Sequence, residues 1–371
     1  MIYCNWAATS PHKKYNYNQA VQDTILTRTG ISPNEFSIPV RTKIASLFNV
    51  PSAMSVVFGA GATDLLNKVL LGVPMGKNDE VITSIYAHNS ILRPLHYLKE
   101  RRGINVHYIT PNEYGVLQPE TLSEAITART RLVVLTHASN VTGIIQPVKE
   151  CVAYAHQKHI PVLLDCAQSA GFFPLDVQDI NADAYVCSGH KALQGPSGIG
   201  ILFISNGLHC EPVITGGSGI QSDREEQPEE LPWRLEAGTP NYEAVSLLNN
   251  ALDNYNNDIR VQQFKNVCTY YTRFVQELQN MRGIRIIGMP TGAHLPYINI
   301  IFNTIRNDEA AYILLNVFRI IVRPGLHCAP RMHKYLGTFP EGTIRLSFGP
   351  ESDEKDFNGV LEALNKIQRD Y

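Results

Sequence analysis

A carboxylate in Asp165-Cys166-Ala167-Gln168 and a lysine in Ser188-Gly189-His190-Lys191 each stand at the end of an apolar run, Pro161-Val162-Leu163-Leu164 and Ala184-Tyr185-Val186-Cys187. Short apolar runs of this kind read as buried strands of a parallel sheet. Both groups then emerge at one sheet edge, where α/β folds bind their ligands. A lysine can form a Schiff base with an aldehyde, and an aspartate can keep a pyridine nitrogen protonated. Together these are what pyridoxal phosphate requires of a protein. Gly189 and Gly195 let backbone approach a ligand, and Ser188 and His190 offer donors to a phosphate. Read singly, Lys191 is a solvated loop residue and Asp165 a helix cap; their pairing is what points to chemistry.

Further candidates follow other strands. Gly59-Ala60-Gly61-Ala62-Thr63-Asp64 leads from a strand into a helix, but Asp64 stands where a dinucleotide fingerprint needs its third glycine. The helix start still suits a phosphate, through Ala62 backbone and Thr63, with a plain turn as the alternative. His88 begins a helix where it is either structural or able to lie over a bound aromatic ring, and Asn140 holds an equivalent loop position. Arg323-Pro324-Gly325-Leu326-His327-Cys328-Ala329-Pro330 sets a cysteine in a tight loop. A thiol of ordinary pKa, about 8.5, needs a neighbouring base or positive charge to react at neutral pH. His327, Arg323 and His333 are the candidates for that help. Arg345, inside an apolar strand, needs either a local acidic partner or a bidentate ligand carboxylate.

The elements that position these groups are strand and helix pairs. Ser37 is expected to cap a helix carrying Val40, Ile44 and Leu47, with Pro39 in its first turn. A strand over Met54–Phe58 leads to a helix from Asp64 to Leu71, and further pairs follow to about residue 204. Such repeats predict a doubly wound, mainly parallel sheet. Residues 205–240 are rich in Gly, Pro and acids, and Tyr242 to Met281 reads as two long helices. Strands over Ile320–Val322 and Thr343–Phe348 and a last helix burying Phe357, Val360, Leu361, Leu364 and Ile367 read as a separate α+β unit. The expected division is 15–255 for the large unit and 256–371 for the small one, with residues 1–14 packing on the latter.

At 371 residues the chain exceeds the roughly 250–300 residues of a single core. A net charge of -2 gives no basic excess for nucleic acid. No run reaches the roughly 18 apolar residues of a membrane span, and no secretory leader opens the chain, so a cytoplasmic location is expected. The seven cysteines are an odd number without a C-x-x-C pair, which argues against a disulfide framework and against a zinc site.

The ordered set Gly61-Ala62-Thr63, His88, Ser139-Asn140-Val141-x-Gly143, Asp165-x-Ala167-Gln168, Ser188-Gly189-His190-Lys191, Glu236-Ala237-Gly238-Thr239-Pro240-Asn241 and Arg323-x-Gly325-x-His327-Cys328-Ala329-Pro330 resembles the class V aminotransferase family. Its closest likeness is to the cysteine desulfurase and selenocysteine lyase branch. The resemblance implies a type I, aspartate aminotransferase-like pyridoxal phosphate fold. In it a large domain is built on a mainly parallel seven-stranded sheet and a smaller α+β domain is C-terminal.

The same resemblance implies a homodimer with active sites at its interface and Lys191 as the covalent anchor of the cofactor. Asp165 would pair with the pyridine nitrogen, Gln168 with the ring hydroxyl, and His88 would stack on the ring. Ala62, Thr63, Ser188 and His190 would hold the phosphate, joined by Thr239 from the other subunit. Asn140 and Arg345 would hold the carboxylate of L-cysteine, and Cys328 would take its sulfur for an acceptor protein. Two departures stand out: Asn5-Trp6 precedes Ala7-Ala8-Thr9 where the family usually has Asp-Asn, and Asp64 replaces a common Glu. A selenocysteine or cystine lyase, a non-catalytic scaffold of the same fold, and a nicotinamide-dependent oxidoreductase are the alternative readings.

Overall fold

A computed structural model describes residues 1–11, 15, 17–28, 33–253, 255–289 and 292–370. Residues 12–14 of the expected N-terminal segment lie outside the described residues. Strand β1 (Ile2–Tyr3) is followed by β2 (Val56–Gly59), β3 (Glu80–Ser84), β4 (Asn105–Ile109), β5 (Thr130–Thr136), β6 (Val162–Asp165), β7 (Ala184–Ser188) and β8 (Gly200–Ile204). Then come β9 (Ile284–Ile287), β10 (Tyr297–Phe302), β11 (Ile320–Ile321), β12 (Arg323–Gly325) and β13 (Thr343–Ser347).

Seven strands form one sheet in the order β2-β8-β7-β6-β5-β3-β4. β7, β6, β5, β3 and β4 pair in parallel, whereas β8 runs antiparallel to both β2 and β7. The reversal follows from chain length. Residues 189–199 hold no helix, and a loop that short can turn a strand back but cannot carry it over the sheet to re-enter in parallel.

Successive side chains of a strand face opposite ways. On β7, Tyr185 and Cys187 enter one apolar cluster while Ala184 and Val186 enter another, so both faces are covered. That is why these strands read as unbroken apolar runs rather than as alternating ones.

A second sheet has the order β12-β13-β10-β9 and its own core. Helix Asn257–Gln279 contributes Val267, Tyr271, Phe274 and Leu278 to it, and helix Glu354–Asp370 contributes Phe357, Val360, Leu364 and Ile367. Ala363 completes that stripe in place of the expected Leu361, which sits a third of a turn round and is half-buried.

Two local expectations change. The first described helix after residue 32 spans Pro33–Phe48, so Ser37 and Pro39 lie inside it; the Ser37 hydroxyl accepts from Arg41 Nε at 3.3 Å instead of capping. The strand expected over Ile320–Val322 is the shorter β11, which pairs with β1, and a separate β12 follows after Val322 and pairs with β13. The chain therefore changes sheets just before the Cys328 loop. No helix among the described residues is long and apolar enough to cross a membrane.

Candidate active site

The carboxyl ends of β5, β6 and β7 set the site floor. Asp165 is the last residue of β6, in register with Thr136 on β5 and Val186 on β7. Its Oδ1 accepts from the Ala167 N–H at 3.0 Å, which fixes the carboxylate. Burial raises the Asp165 pKa, opposed by that hydrogen bond and by Lys191. The Lys191 loop is folded back on itself by Gly189 N–H to Ile199 O (3.1 Å) and Gly195 N–H to Gly189 O (2.7 Å). Lys191 is enclosed by protein yet keeps surface toward the cavity, and its amine has no hydrogen bond or ion pair among the described residues. Burial pulls its pKa down to about 8; Asp165 opposes the fall, and Arg345 and Arg323 add to it.

At the opposite end, helix Ala62–Gly72 starts on Gly61, whose φ of +152° suits glycine. Gly200 on β8 makes this possible: a Cβ there would lie 2.5 Å from Gly61 C and 2.9 Å from Ala62 N. Ala62, Thr63 and Asp64 line the cavity beside Ser188 and His190. Ser188 Oγ lies 3.3 Å from His190 Nδ1. Asp64 accepts from the Ala60 N–H at 3.0 Å and pairs with Lys68 at 3.3 Å, so the Glu-to-Asp departure serves the local turn.

His88 caps helix Asn89–Arg102, its Nδ1 accepting from the Ser90 N–H at 3.1 Å. A bare Nδ1 places the ring proton on Nε2. Burial, then the positive charges of Lys191, Arg323, Arg345 and Arg93, lower the His88 pKa to about 4, so the ring is neutral at neutral pH.

The Cys328 loop is both strained and pinned. His327 and Cys328 have φ of +50° and +58°, left-handed conformations that cost roughly 1–3 kcal/mol each for residues other than glycine. Asn140 Nδ2 donates to His327 O at 2.6 Å, Asn89 N–H to Cys328 O at 2.8 Å, and Ala329 N–H to Leu326 O at 2.9 Å. Of the three groups expected to assist Cys328, only Arg323 reaches it, with Nη2 4.0 Å from Sγ. His327 contacts Thr343 Oγ1 at 3.1 Å and His333 contacts Thr338 Oγ1 at 2.8 Å, beneath the loop. Burial, followed by nearby positive charge, holds both imidazoles below their usual range.

Arg345 is 1% exposed, and no carboxylate among the described residues pairs with it, so the local salt bridge considered from sequence is not formed. Its Nη1 donates to Asn140 O at 2.7 Å and its Nη2 to Asn5 Oδ1 at 3.3 Å. Gln168 is held from two sides, Nε2 donating to Ala7 O and Oε1 accepting from Tyr297, both at 3.1 Å.

Ala62, Thr63, His88, Asn140, Asp165, Gln168, Ser188, His190, Lys191, Cys328 and Arg345 all line one cavity of about 520 Å³. Thr239 does not; it is exposed in an adjoining cleft with Gly59 and Ala60. Sequence reasoning missed Thr136, whose buried hydroxyl has no partner, and named the Asn5–Ala8 segment only as a departure from the family pattern, whereas Ala7 and Ala8 line the cavity. Thr136 was findable by the rule that found Asp165, since it too ends a strand. Asn5 was marked only by its departure from the family pattern; its place beside Arg345 comes from pairing far along the chain. Among the described residues no group of His, Cys, Asp and Glu is placed to hold a metal.

Comparison with known proteins finds relatives over most of the chain. Cysteine desulfurase CsdA of Escherichia coli K12 is 30% identical to 88% of this chain, over 81% of its own length. The cysteine desulfurase of Escherichia coli O157:H7 is 32% identical over the same shares. Among solved structures, Escherichia coli CsdA in its S-sulfonic acid form superposes with a TM-score of 0.87 at 28% identity, covering 99% of this chain and 94% of that one. The apo cysteine desulfurase of Thermococcus onnurineus NA1 gives a TM-score of 0.89 at 25% identity, covering 100% and 95%. Residues 14–360 match the profile of the family described as aminotransferase class-V, so this chain belongs to the class-V aminotransferase family.

Proposed function

We propose that the chain is a pyridoxal phosphate-dependent cysteine desulfurase that converts L-cysteine to L-alanine and keeps the sulfur as a persulfide on Cys328. The observation that carries this is one cavity lined by a half-buried lysine, a buried carboxylate and a cysteine sulfur. The residues fit the cofactor. Lys191 has an unengaged amine of lowered pKa, Asp165 is fixed at the sheet edge, and the N-terminus of a helix faces Ser188 and His190. Lys191 would anchor the cofactor, Asp165 would meet its ring nitrogen, Gln168 its hydroxyl and His88 its face. Ala62, Thr63, Ser188 and His190 would take the phosphate, with Thr239 serving a second copy in a homodimer; its exposure outside its own cavity supports that role.

Bound pyridoxal phosphate supplies an electron sink for the carbons of an attached amino acid. The chain's own residues do the rest. Arg345 and Asn140 orient the substrate carboxylate through a buried guanidinium and an amide. The Lys191 amine, with its pKa near about 8, carries the α-proton. Neutral His88, protonated on Nε2, is a donor within the cavity. Arg323 points its Nη2 at the attacking sulfur, 4.0 Å away. As Cys328 Sγ bonds to the substrate sulfur, the C–S bond breaks, its electron pair ends in a C–H bond, and alanine departs.

The pinned loop cannot carry Cys328 far, which supports delivery to an acceptor protein that comes to the site. A cytoplasmic location and a division into units 15–255 and 256–371 belong to the same reading. The test is Cys328→Ala in the holoenzyme: cofactor binding stays intact and alanine release from L-cysteine is abolished, while mass spectrometry finds persulfide on Cys328 of the parent. Undiminished alanine release would refute the sulfur-acceptor role and favour a lyase of the selenocysteine or cystine type.

A further inference from the structure

A buried guanidinium is ordinarily paired with an anion, because water no longer screens its charge. Arg345 departs from that rule. Its Nη1 faces the neutral carbonyl of Asn140, its Nη2 faces the neutral amide oxygen of Asn5, and its buried Nε has no acceptor. Burial lowers its pKa only to about 10, so it remains a cation at neutral pH. The cavity thus holds a guanidinium whose own hydrogen-bond partners are all neutral, with donor capacity left over and the charges of Arg323 and Lys191 nearby.

Asn5 is built in firmly. Tyr3 pairs with Ile321, Asn5 bridges Ser347, and the Ala7 N–H donates to Ser347 Oγ at 3.1 Å. Ser347 lies two residues beyond Arg345 on β13, and alternate residues share a sheet face. The N-terminal segment therefore lays Asn5 alongside Arg345 by backbone pairing, whatever side chain residue 5 carries. An aspartate would fit the same space, since the two side chains differ in charge and donor count rather than shape. It would close a salt bridge on Nη2.

We infer that Asn5 is a specificity-determining positioning residue: its neutral amide orients Arg345 without neutralising it, reserving the guanidinium charge for a ligand carboxylate. The inference rests on the proposed reading that the ligand is an amino acid. Asn5→Asp and Asn5→Ala are compared in the holoenzyme. Asn5→Asp raises KM for L-cysteine roughly 10-fold, the loss of a charge-assisted contact worth about 1.4 kcal/mol, with kcat changed less than about twofold. Asn5→Ala, which adds no charge, moves KM less than about threefold. By calorimetry, Asn5→Asp weakens L-alanine binding but leaves L-alaninamide, which lacks the carboxylate, unchanged. The cofactor-free Asn5→Asp protein melts higher than its parent, because a lone buried charge gains a partner.

Unchanged KM and L-alanine affinity in a folded Asn5→Asp protein overturn the inference, as do equal changes in Asn5→Asp and Asn5→Ala. In both cases the proposed activity stands if the parent binds L-alanine and consumes L-cysteine. A holoenzyme parent that binds neither amino acid overturns both.

Discussion

Gly200→Ala tests how the sheet builds the phosphate end of the cavity. Gly200 sits on β8 between two strands, opposite Gly59 on β2 and Ser188 on β7, so ladders on both sides hold it in the plane. A methyl group there would lie 2.5 Å from Gly61 C, 2.8 Å from Gly61 Cα and 2.9 Å from Ala62 N. Comfortable heavy-atom contacts begin near about 3.5 Å, so the Gly61–Ala62 backbone must retreat by roughly 1 Å. Overpacking of this kind costs about 1–3 kcal/mol, which a domain of ordinary stability survives. The helix start then no longer faces Ser188 and His190 at the spacing a phosphate needs. Losing one or two charge-assisted hydrogen bonds, each worth about 1.5–3 kcal/mol, weakens pyridoxal phosphate binding by at least about 10-fold. The assay is a spectroscopic titration of cofactor-free protein, with thermal unfolding of the same sample as the stability measure. A folded Gly200→Ala protein that binds the cofactor within twofold of its parent refutes the reasoning, because the helix start would then be irrelevant to the phosphate.

Two further predictions concern Lys191 and Cys328. The Lys191 pKa falls from 10.5 to about 8 by burial. Between these values the unfolded chain binds the extra proton, so the stability of cofactor-free protein rises with pH across that window, and Lys191→Met removes the rise. Over the same pH range the combination of pyridoxal phosphate with cofactor-free protein speeds up with a midpoint near about 8, because only the unprotonated amine attacks a carbonyl; stopped-flow absorbance checks it, and a midpoint near 10.5 contradicts the burial argument. Cys328 has φ of +58°, so Cys328→Gly melts higher than Cys328→Ala by the equivalent of about 1 kcal/mol, while neither releases alanine. Equal melting temperatures would mean that the loop is not strained at that residue.

Much of the site was legible because each group follows its own strand. Asp165, Ser188, Lys191, His88 and Asn140 come after apolar runs, and the carboxyl-edge rule assembles them without knowledge of strand order. The same rule does not say which strand neighbours which, so the reversed β8 and the Gly200 contact were invisible. The helpers of Cys328 were misjudged for a related reason. His327 and His333 are near in sequence, but their imidazoles are engaged by Thr343 and Thr338 rather than by the thiol.

The chain's order of residues by itself determined the α/β class, the cofactor chemistry and the principal candidates, since these depend on local periodicity and on residue types adjacent in sequence. Tertiary structure alone decided the electrostatics. That Lys191 is an amine of lowered pKa, that His88 is neutral with its proton on Nε2, and that Arg345 is a buried cation held by Asn5 all follow from what lies across the cavity. Charge and desolvation act through space over a few ångströms, and the groups that exert them on Arg345 come from the far end of the chain.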